Sequence, residues 1–278
     1  MQPEVLRSYL FVPATRTDRI AKAQAAGPHA VIVDLEDAVA PSQKASARDA
    51  LARDLPDAGG VLVRINAADS EWFEEDVRLC AEVRARGIIL PKAERAGHIE
   101  HVAQRLGAAA VILPLVETAR GYAALASVCA APQVQRVLFG SIDFQIDLGI
   151  TGEGEELLAF RSGLVLGSRL AGIQPPVDGV TVEINDAERV REDTLRGKRL
   201  GFGGKLCIHP KQVAVVNACF QPTDNEISWA KRVLDAAARG GGAAVAVDGK
   251  MVDRPVILKA EQILRDSERL ERGSASAP

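Results

Sequence analysis

Apolar and polar positions follow one rhythm along most of the chain: a short apolar run, then a longer amphipathic one. The short runs Ser8–Val12, Ala30–Asp34, Val61–Ile65, Gly87–Leu90, Ala110–Leu115, Val137–Phe139, Pro176–Gly179 and Lys205–Ile208 read as strands. The amphipathic runs predict helices over Arg16–Ala26, Ser42–Asp54, about Glu71–Ala85, Ala93–Leu106, about Glu155–Ala171 and Asp186–Leu200. A further segment of helical length separates the fifth and sixth strands. Thr15 or Thr17 is placed to cap the first helix and Ser42 the second.

Eight such alternations fill about the first 210 residues, and the strands are nearly continuous in apolar residues. That pattern predicts a parallel sheet covered by helices. The count and length fit a closed (β/α)8 TIM barrel, which takes ~250 residues. An open doubly wound sheet is the alternative, but the first turn, Val12-Pro13-Ala14-Thr15-Arg16, lacks the glycines such folds place there.

Beyond residue 221 the rhythm changes. Thr223 and Glu226 form a capping-box pair at the start of a helix running to about Arg239. Gly240-Gly241-Gly242, a strand-like piece over Ala243–Val247, the turn Asp248-Gly249 and a helix over about Pro255–Arg269 follow. The expected organisation is a catalytic barrel over 1–221 and a C-terminal arm or lid over 222–278, with a disordered tail from Gly273.

Composition narrows the function. The chain has 278 residues, 47% of them hydrophobic, a net charge of −3, and 4% aromatics. Lys and Arg are dispersed, so nucleic acid is not an expected partner. Cys80, Cys129, Cys207 and Cys219 form no Cys-x-x-Cys pair and read as free thiols in a reducing cytoplasm. No run approaches the ~20 apolar residues of a membrane span, so no membrane is expected as partner. Gly201–Lys205 has the wrong spacing for a phosphate-binding loop, and there is no Gly-x-Ser-x-Gly elbow.

The strand ends carry the chemistry. In a barrel of this kind they converge on one mouth. Asp34 ends the second strand, with Glu36 and Asp37 beyond it; Arg64, Lys92, Glu117, Asp143 and His209 stand at the ends of the third, fourth, fifth, sixth and eighth. Asp34, Glu36 and Asp37 either cap the next helix and pair with Arg64 or serve the site directly. Lys92 reads as a salt-bridge partner. Glu117 and Asp143 either complement helix dipoles or supply oxygen ligands to a hard divalent cation. The apolar strands leading into both favour the metal. A buried Arg64 requires a carboxylate or an anionic ligand, and a substrate anion fits.

Several motifs taken together, in order, resemble the citrate lyase β-subunit-like family, which groups with the malyl-CoA and citramalyl-CoA lyases in the HpcH/HpaI aldolase superfamily. They are Leu10-Phe11-Val12-Pro13, Val33-Asp34-Leu35-Glu36-Asp37-Ala38-Val39, Val63-Arg64-Ile65-Asn66, Pro114-Leu115-Val116-Glu117-Thr118, Gly140-Ser141-Ile142-Asp143-Phe144, Gly204-Lys205-Leu206-Cys207-Ile208-His209-Pro210 and Asp248–Pro255.

The resemblance implies a Mg2+-dependent carbon–carbon lyase acting on a CoA thioester and a small 2-oxo acid. It implies Glu117 and Asp143 as metal ligands, Glu117 also touching substrate, Arg64 as the substrate-binding and catalytic arginine, and Asp253 as a catalytic acid brought by the arm of a neighbouring subunit. Arg16, Lys22, Asp37 and His209 are the implied CoA contacts. Ala14 stands where the family usually has glycine. Homotrimers or dimers of trimers are expected. A citrate lyase β-subunit working on a carrier-protein thioester and a non-catalytic CoA or oxo-acid sensor are the alternatives.

Overall fold

The computed structural model describes residues 6–54, 60–239 and 245–275. It divides into two compact units, Met1–Phe220 and Gln221–Pro278.

The first unit is a closed parallel barrel of eight strands in sequence order. They are β1 Ser8–Pro13, β2 Ala30–Asp34, β3 Val61–Arg64, β4 Gly87–Leu90, β5 Val111–Val116, β6 Leu138–Phe139, β7 Val177–Asp178 and β8 Gly204–Cys207. β8 closes on β1 through Ser8↔Lys205 and Leu10↔Cys207. The helices are α1 Ile20–Ala25, α2 Lys44–Asp54, α3 Phe73–Glu82, α4 Ala96–Arg105, α5 Ala119–Ala123, α6 Leu125–Ala130, α7 Ser141–Leu148, α8 Leu158–Leu170, α9 Ala187–Leu200 and α10 Pro210–Phe220.

Strand alternation sorts the core into two shells. Tyr9, Ile32, Leu62, Ile89, Leu113, Leu138, Val177 and Leu206 pack together inside the barrel. Their neighbours in sequence, among them Leu10, Val33, Val63, Ile88, Ile112 and Cys207, pack outward against the helices. Inside the barrel, Gly87 sits where a Cβ would come within 2.4 Å of the Val111 carbonyl oxygen. One buried cation closes the end opposite the mouth. Arg136 donates to the carbonyls of Pro175, Leu6 and Pro176 and to the Tyr9 hydroxyl.

Local departures from the expected elements have local causes. The first expected helix is a 3-10 stretch, Ala14–Arg19, leading into α1, and the extended Arg16 (φ −131°) interrupts it. Ser42 does not cap a helix; it lies within a 3-10 turn, Pro41–Gln43, ahead of α2. α4 starts at Ala96 because Lys92 takes a left-handed conformation, φ +46°. The helical segment after β5 splits into α5 and α6, with Thr118 capping the first through the Gly121 N–H. α7, directly after β6, is absent from the expected elements. It is short, and its apolar composition lacks a clean helical period.

The second unit pairs α11 Asp224–Arg239 with α12 Arg254–Ala275 around Val233, Val252 and Ala260. The capping box forms as expected: Glu226 N–H donates to Thr223 Oγ1 and Thr223 N–H to Glu226 Oε2. β9 Val245–Val247 and β10 Lys250–Val252 make a hairpin whose turn has positive φ at both Asp248 (52°) and Gly249 (72°), as a tight type I′ turn requires. Gly240–Gly242, expected as a hinge, lies outside the described residues. α12 runs on to Ala275, which corrects the expectation of disorder from Gly273. Among the described residues no helix is long and apolar enough to cross a membrane.

The Gly87 contact gives a direct test of the barrel interior. Gly87→Ala is expected to cost about 1–3 kcal/mol by overpacking, read as a lower urea midpoint with an unchanged slope.

Candidate active site

The mouth of the barrel, at the C-terminal ends of its strands, holds a cavity of about 420 Å3. Asp34, Asp37, Arg64, Glu117, Ser141 and Asp143 supply its polar lining; Phe11, Leu115, Phe139, Val180, Leu206 and Ile208 are its apolar walls.

Register builds the first half of the site. β2 and β3 pair Asp34 directly with Arg64, and both continue the inward alternation of Ile32 and Leu62. The guanidinium is forked onto Asp34, Nε to Oδ1 at 2.7 Å and Nη2 to Oδ2 at 2.6 Å. Its Nη1 lies 3.1 Å from Asp37 and 3.1 Å from Glu36. The ring of Phe11 covers one face at 5.0 Å. Burial alone lowers an arginine pKa, but these carboxylates outweigh it and raise that of Arg64. The sequence-level demand of a buried Arg64 for a carboxylate is therefore met within the chain, and the residue still lines the cavity.

The loop Asp34–Ala38 is held from several sides. Asp34 accepts the N–H groups of Glu36 and Ala38. The buried Lys44 ammonium donates to the carbonyls of Leu35 and Glu36 at 2.6 and 2.7 Å and lies over the Trp72 ring. Burial pulls its pKa down, against the nearby acids. Asn66 donates to the Leu35 carbonyl and is itself fixed by Asp76, a fully buried acid bonded to Arg48.

The second half comes from β5 and β6. Glu117 follows Leu113 and Leu115 inward and is 2% exposed. The Lys92 N–H donates to its Oε1 at 2.8 Å. Val116 pairs with Phe139, which sets Gly140 against Glu117: a Cβ there would stand 2.6 Å from Glu117 Oε2. Asp143 sits in the first turn of α7, exposed, on the cavity wall. Burial pushes the Glu117 carboxyl up to about 8, with the charges of Glu36 and Asp143 adding to the shift and the Lys92 N–H and Arg64 opposing it.

A buried carboxylate among like charges, beside a second carboxylate on an open cavity, fits a hard divalent cation. Glu117 and Asp143 are the residues that could hold one. Among the described residues no cluster of three or more His, Cys, Asp or Glu side chains is assembled for a metal. This is compatible with an ion that keeps waters and substrate oxygens and takes one or two carboxylates from protein.

Not every strand-end residue reaches the cavity. Lys92 stands behind Glu117, its ammonium 3.0 Å from Glu36. His209 lies in a neighbouring groove of about 540 Å3 with Arg16, Arg19 and Lys22, which shares Phe11, Pro13 and Ile208 with the cavity. Arg16 there is forked onto Asp18 at 2.8 Å. Asp37, grouped with these residues at the sequence level, lines the cavity instead. Asp253 belongs to the second unit, where it is exposed and accepts the Val256 N–H at 3.4 Å at the head of α12. Sequence reasoning missed Ser141, whose buried hydroxyl has no hydrogen-bond partner, and Asp178 at the end of β7, bonded to the buried Arg161. The apolar wall was legible only as inward alternation.

Two carboxylates and an arginine at the mouth of a (β/α)8 barrel suit metal-assisted chemistry on an anionic substrate. A model of TIM-barrel C–C bond lyases matches residues 173–269, and the model of the HpcH/HpaI aldolase/citrate lyase family matches residues 7–210. The chain belongs to that family and is a carbon–carbon lyase.

It is 40% identical to the citrate lyase subunit beta-like protein of Deinococcus radiodurans, over 94% of this chain and 97% of that one. It is 36% identical to a (3S)-malyl-CoA thioesterase of Cereibacter sphaeroides, over 99% of both. Among solved structures, CitE of Mycobacterium tuberculosis in complex with magnesium, acetoacetate and coenzyme A superposes with a TM-score of 0.86 at 34% identity, covering 95% of this chain and 98% of that one.

The Glu117 carboxyl makes stability depend on pH. Its folded value near 8 lies above the ordinary 4.5, so between these values the folded state holds a proton that the unfolded state has lost. Metal-free protein should therefore lose stability as pH rises across that window, by up to about 1.4 kcal/mol per pH unit. Glu117→Gln should flatten that slope, measured by urea unfolding in chelator from pH 5 to pH 9.

Proposed function

We propose that the protein is a Mg2+-dependent lyase that cleaves, or forms, a short 3-hydroxyacyl-CoA such as citramalyl-CoA or malyl-CoA, giving an acyl-CoA and a 2-oxo acid. The observation that carries this reading is the mouth cavity, where Glu117, Asp143 and Arg64 line one space of about 420 Å3, with room for an oxo acid. The magnesium, acetoacetate and coenzyme A held by the similar CitE structure support it.

Glu117 and Asp143 would hold Mg2+, which supplies Lewis acidity at the oxygen of the oxo or hydroxy group. The remaining work falls to the chain. In cleavage the substrate hydroxyl gives its proton to solvent water, the bond between the hydroxyl-bearing carbon and the thioester α-carbon breaks, and the electron pair of that bond is left on the thioester enolate. Arg64, fixed by Asp34, stabilises that negative charge. Asp253 returns a proton to the α-carbon, and in the condensing direction removes it. The apolar walls Phe11, Leu115 and Phe139 exclude water from the enolate. The groove with Arg16, Lys22 and His209 is the proposed path of CoA, and its basic groups suit the phosphates of that molecule.

We assign the second unit as an arm that delivers Asp253, from a neighbouring copy in a homo-oligomer. The C. sphaeroides relatives favour a second outcome at the same site, hydrolysis of the thioester after condensation.

Purified protein is expected to release acetyl-CoA from citramalyl-CoA or malyl-CoA with Mg2+ and not with chelator; release from neither thioester under any condition overturns the lyase reading, and free CoA without acetyl-CoA selects the thioesterase. Glu117→Ala should abolish Mg2+ binding measured by calorimetry. Asp253→Ala should keep Mg2+ and substrate affinity while kcat falls about 100-fold or more; retained turnover removes Asp253 from the mechanism.

A further inference from the structure

Glu36 is buried and has its two oxygens in unequal circumstances. Oε1 accepts the Lys92 ammonium at 3.0 Å. Oε2 lies 3.1 Å from Arg64 Nη1, an ion-pair distance, yet makes no hydrogen bond. A buried carboxylate oxygen left without a hydrogen bond beside a guanidinium calls for an explanation. Arg64 Nη1 gives one N–H to Asp37 at 3.1 Å, and Glu36 Oε2, although at ion-pair distance, is not aligned to accept the other.

Lys92 itself is costly to place. Its φ of +46° is a left-handed conformation that glycine adopts freely and a long side chain does not. A glycine there would still donate its N–H to Glu117. The side chain is half exposed, 48%, so packing does not account for it. Its polar contact is Glu36.

We propose that Lys92 is a positioning residue for the anion site: by holding Glu36 through Oε1 it keeps Oε2 from accepting the second N–H of Arg64 Nη1, the first being given to Asp37, and leaves that second N–H to the substrate anion. Without the ammonium, Glu36 turns onto Arg64 and competes with the ligand. The idea rests on the reading above that Arg64 faces the substrate anion. Mg2+ binding is not weakened by the change, because the charge removed near Glu117 is positive and the Lys92 N–H to Glu117 remains.

The test compares Lys92→Met and Lys92→Arg in the wild-type and Glu36→Gln backgrounds, with Mg2+ alone and then pyruvate as a 2-oxo acid probe, both by calorimetry without turnover. Lys92→Met should weaken pyruvate at least fivefold while Mg2+ binds as tightly as before or tighter. Lys92→Arg should stay within about twofold of wild type. In the Glu36→Gln background Lys92→Met should have no effect on pyruvate, since the competitor is gone. An equal loss in both backgrounds, no loss in either, or weakened Mg2+ binding overturns the proposal. A crystal structure of Lys92→Met decides the point independently of any ligand: Glu36 bonded to Arg64 Nη1 supports it, and Glu36 unmoved overturns it. Should the methionine variant not fold, Lys92→Gly, which relaxes the backbone, takes its place. Failure of the cleavage assay alone leaves these outcomes intact, so the two readings fail separately.

Discussion

The cross-strand pair Asp34–Arg64 is the constraint on which the mouth of the barrel depends. A guanidinium at the inner face of a barrel strand is expensive unless its charge is answered at hydrogen-bond distance. Asp34 answers it with a two-point fork of 2.6 and 2.7 Å, set by the register of β2 and β3. The same carboxylate accepts two backbone N–H groups and so fixes the loop that carries Glu36 and Asp37. Fold and site meet in that one side chain: the register that closes the barrel also aims the arginine.

From that pair the charges extend outward in a chain. Arg64 touches Glu36, Glu36 touches Lys92, and the Lys92 backbone touches Glu117. Acids outnumber bases along it, and the surplus shows in the raised Glu36 and Glu117 carboxyls, with burial the leading cause in each. A surplus of buried negative charge is costly by itself and becomes an asset beside a cation. The supporting groups, Lys44 and Asn66, bind the carbonyls of the loop, and Asp76 and Arg48 hold Asn66 in turn. They hold the acids at fixed spacing, which is what makes the surplus usable.

Much of this was legible in the chain. Eight strand-like runs at even spacing specify a barrel, because near-continuous apolar strands need cover on both faces. Glu117 and Arg64 could be put forward because each ends such a run, where a buried charge calls for a partner. The capping box at Thr223 and Glu226 and the turn at Asp248-Gly249 were readable because their hydrogen bonds and dihedral angles are local. The boundaries that failed, at Arg16, Ser42, Lys92 and α7, lie where 3-10 turns, a left-handed residue and a short apolar helix break the regular period. The one at Lys92 is also a place where strained backbone carries a carboxylate partner.

The sequence by itself determined the periodicity, the acids and the arginine at strand ends, and the family resemblance those motifs carry, since each depends on residues close together along the chain. Only the tertiary structure decided which of them share a space. It placed Asp37 in the cavity, set His209, Arg16 and Lys22 in the adjoining groove, and pressed Gly140 against Glu117. It also left Glu36 between two cations with one oxygen unbonded. Those juxtapositions follow from strand register and barrel closure, which join residues about 20 or more positions apart, and no local pattern encodes that distance.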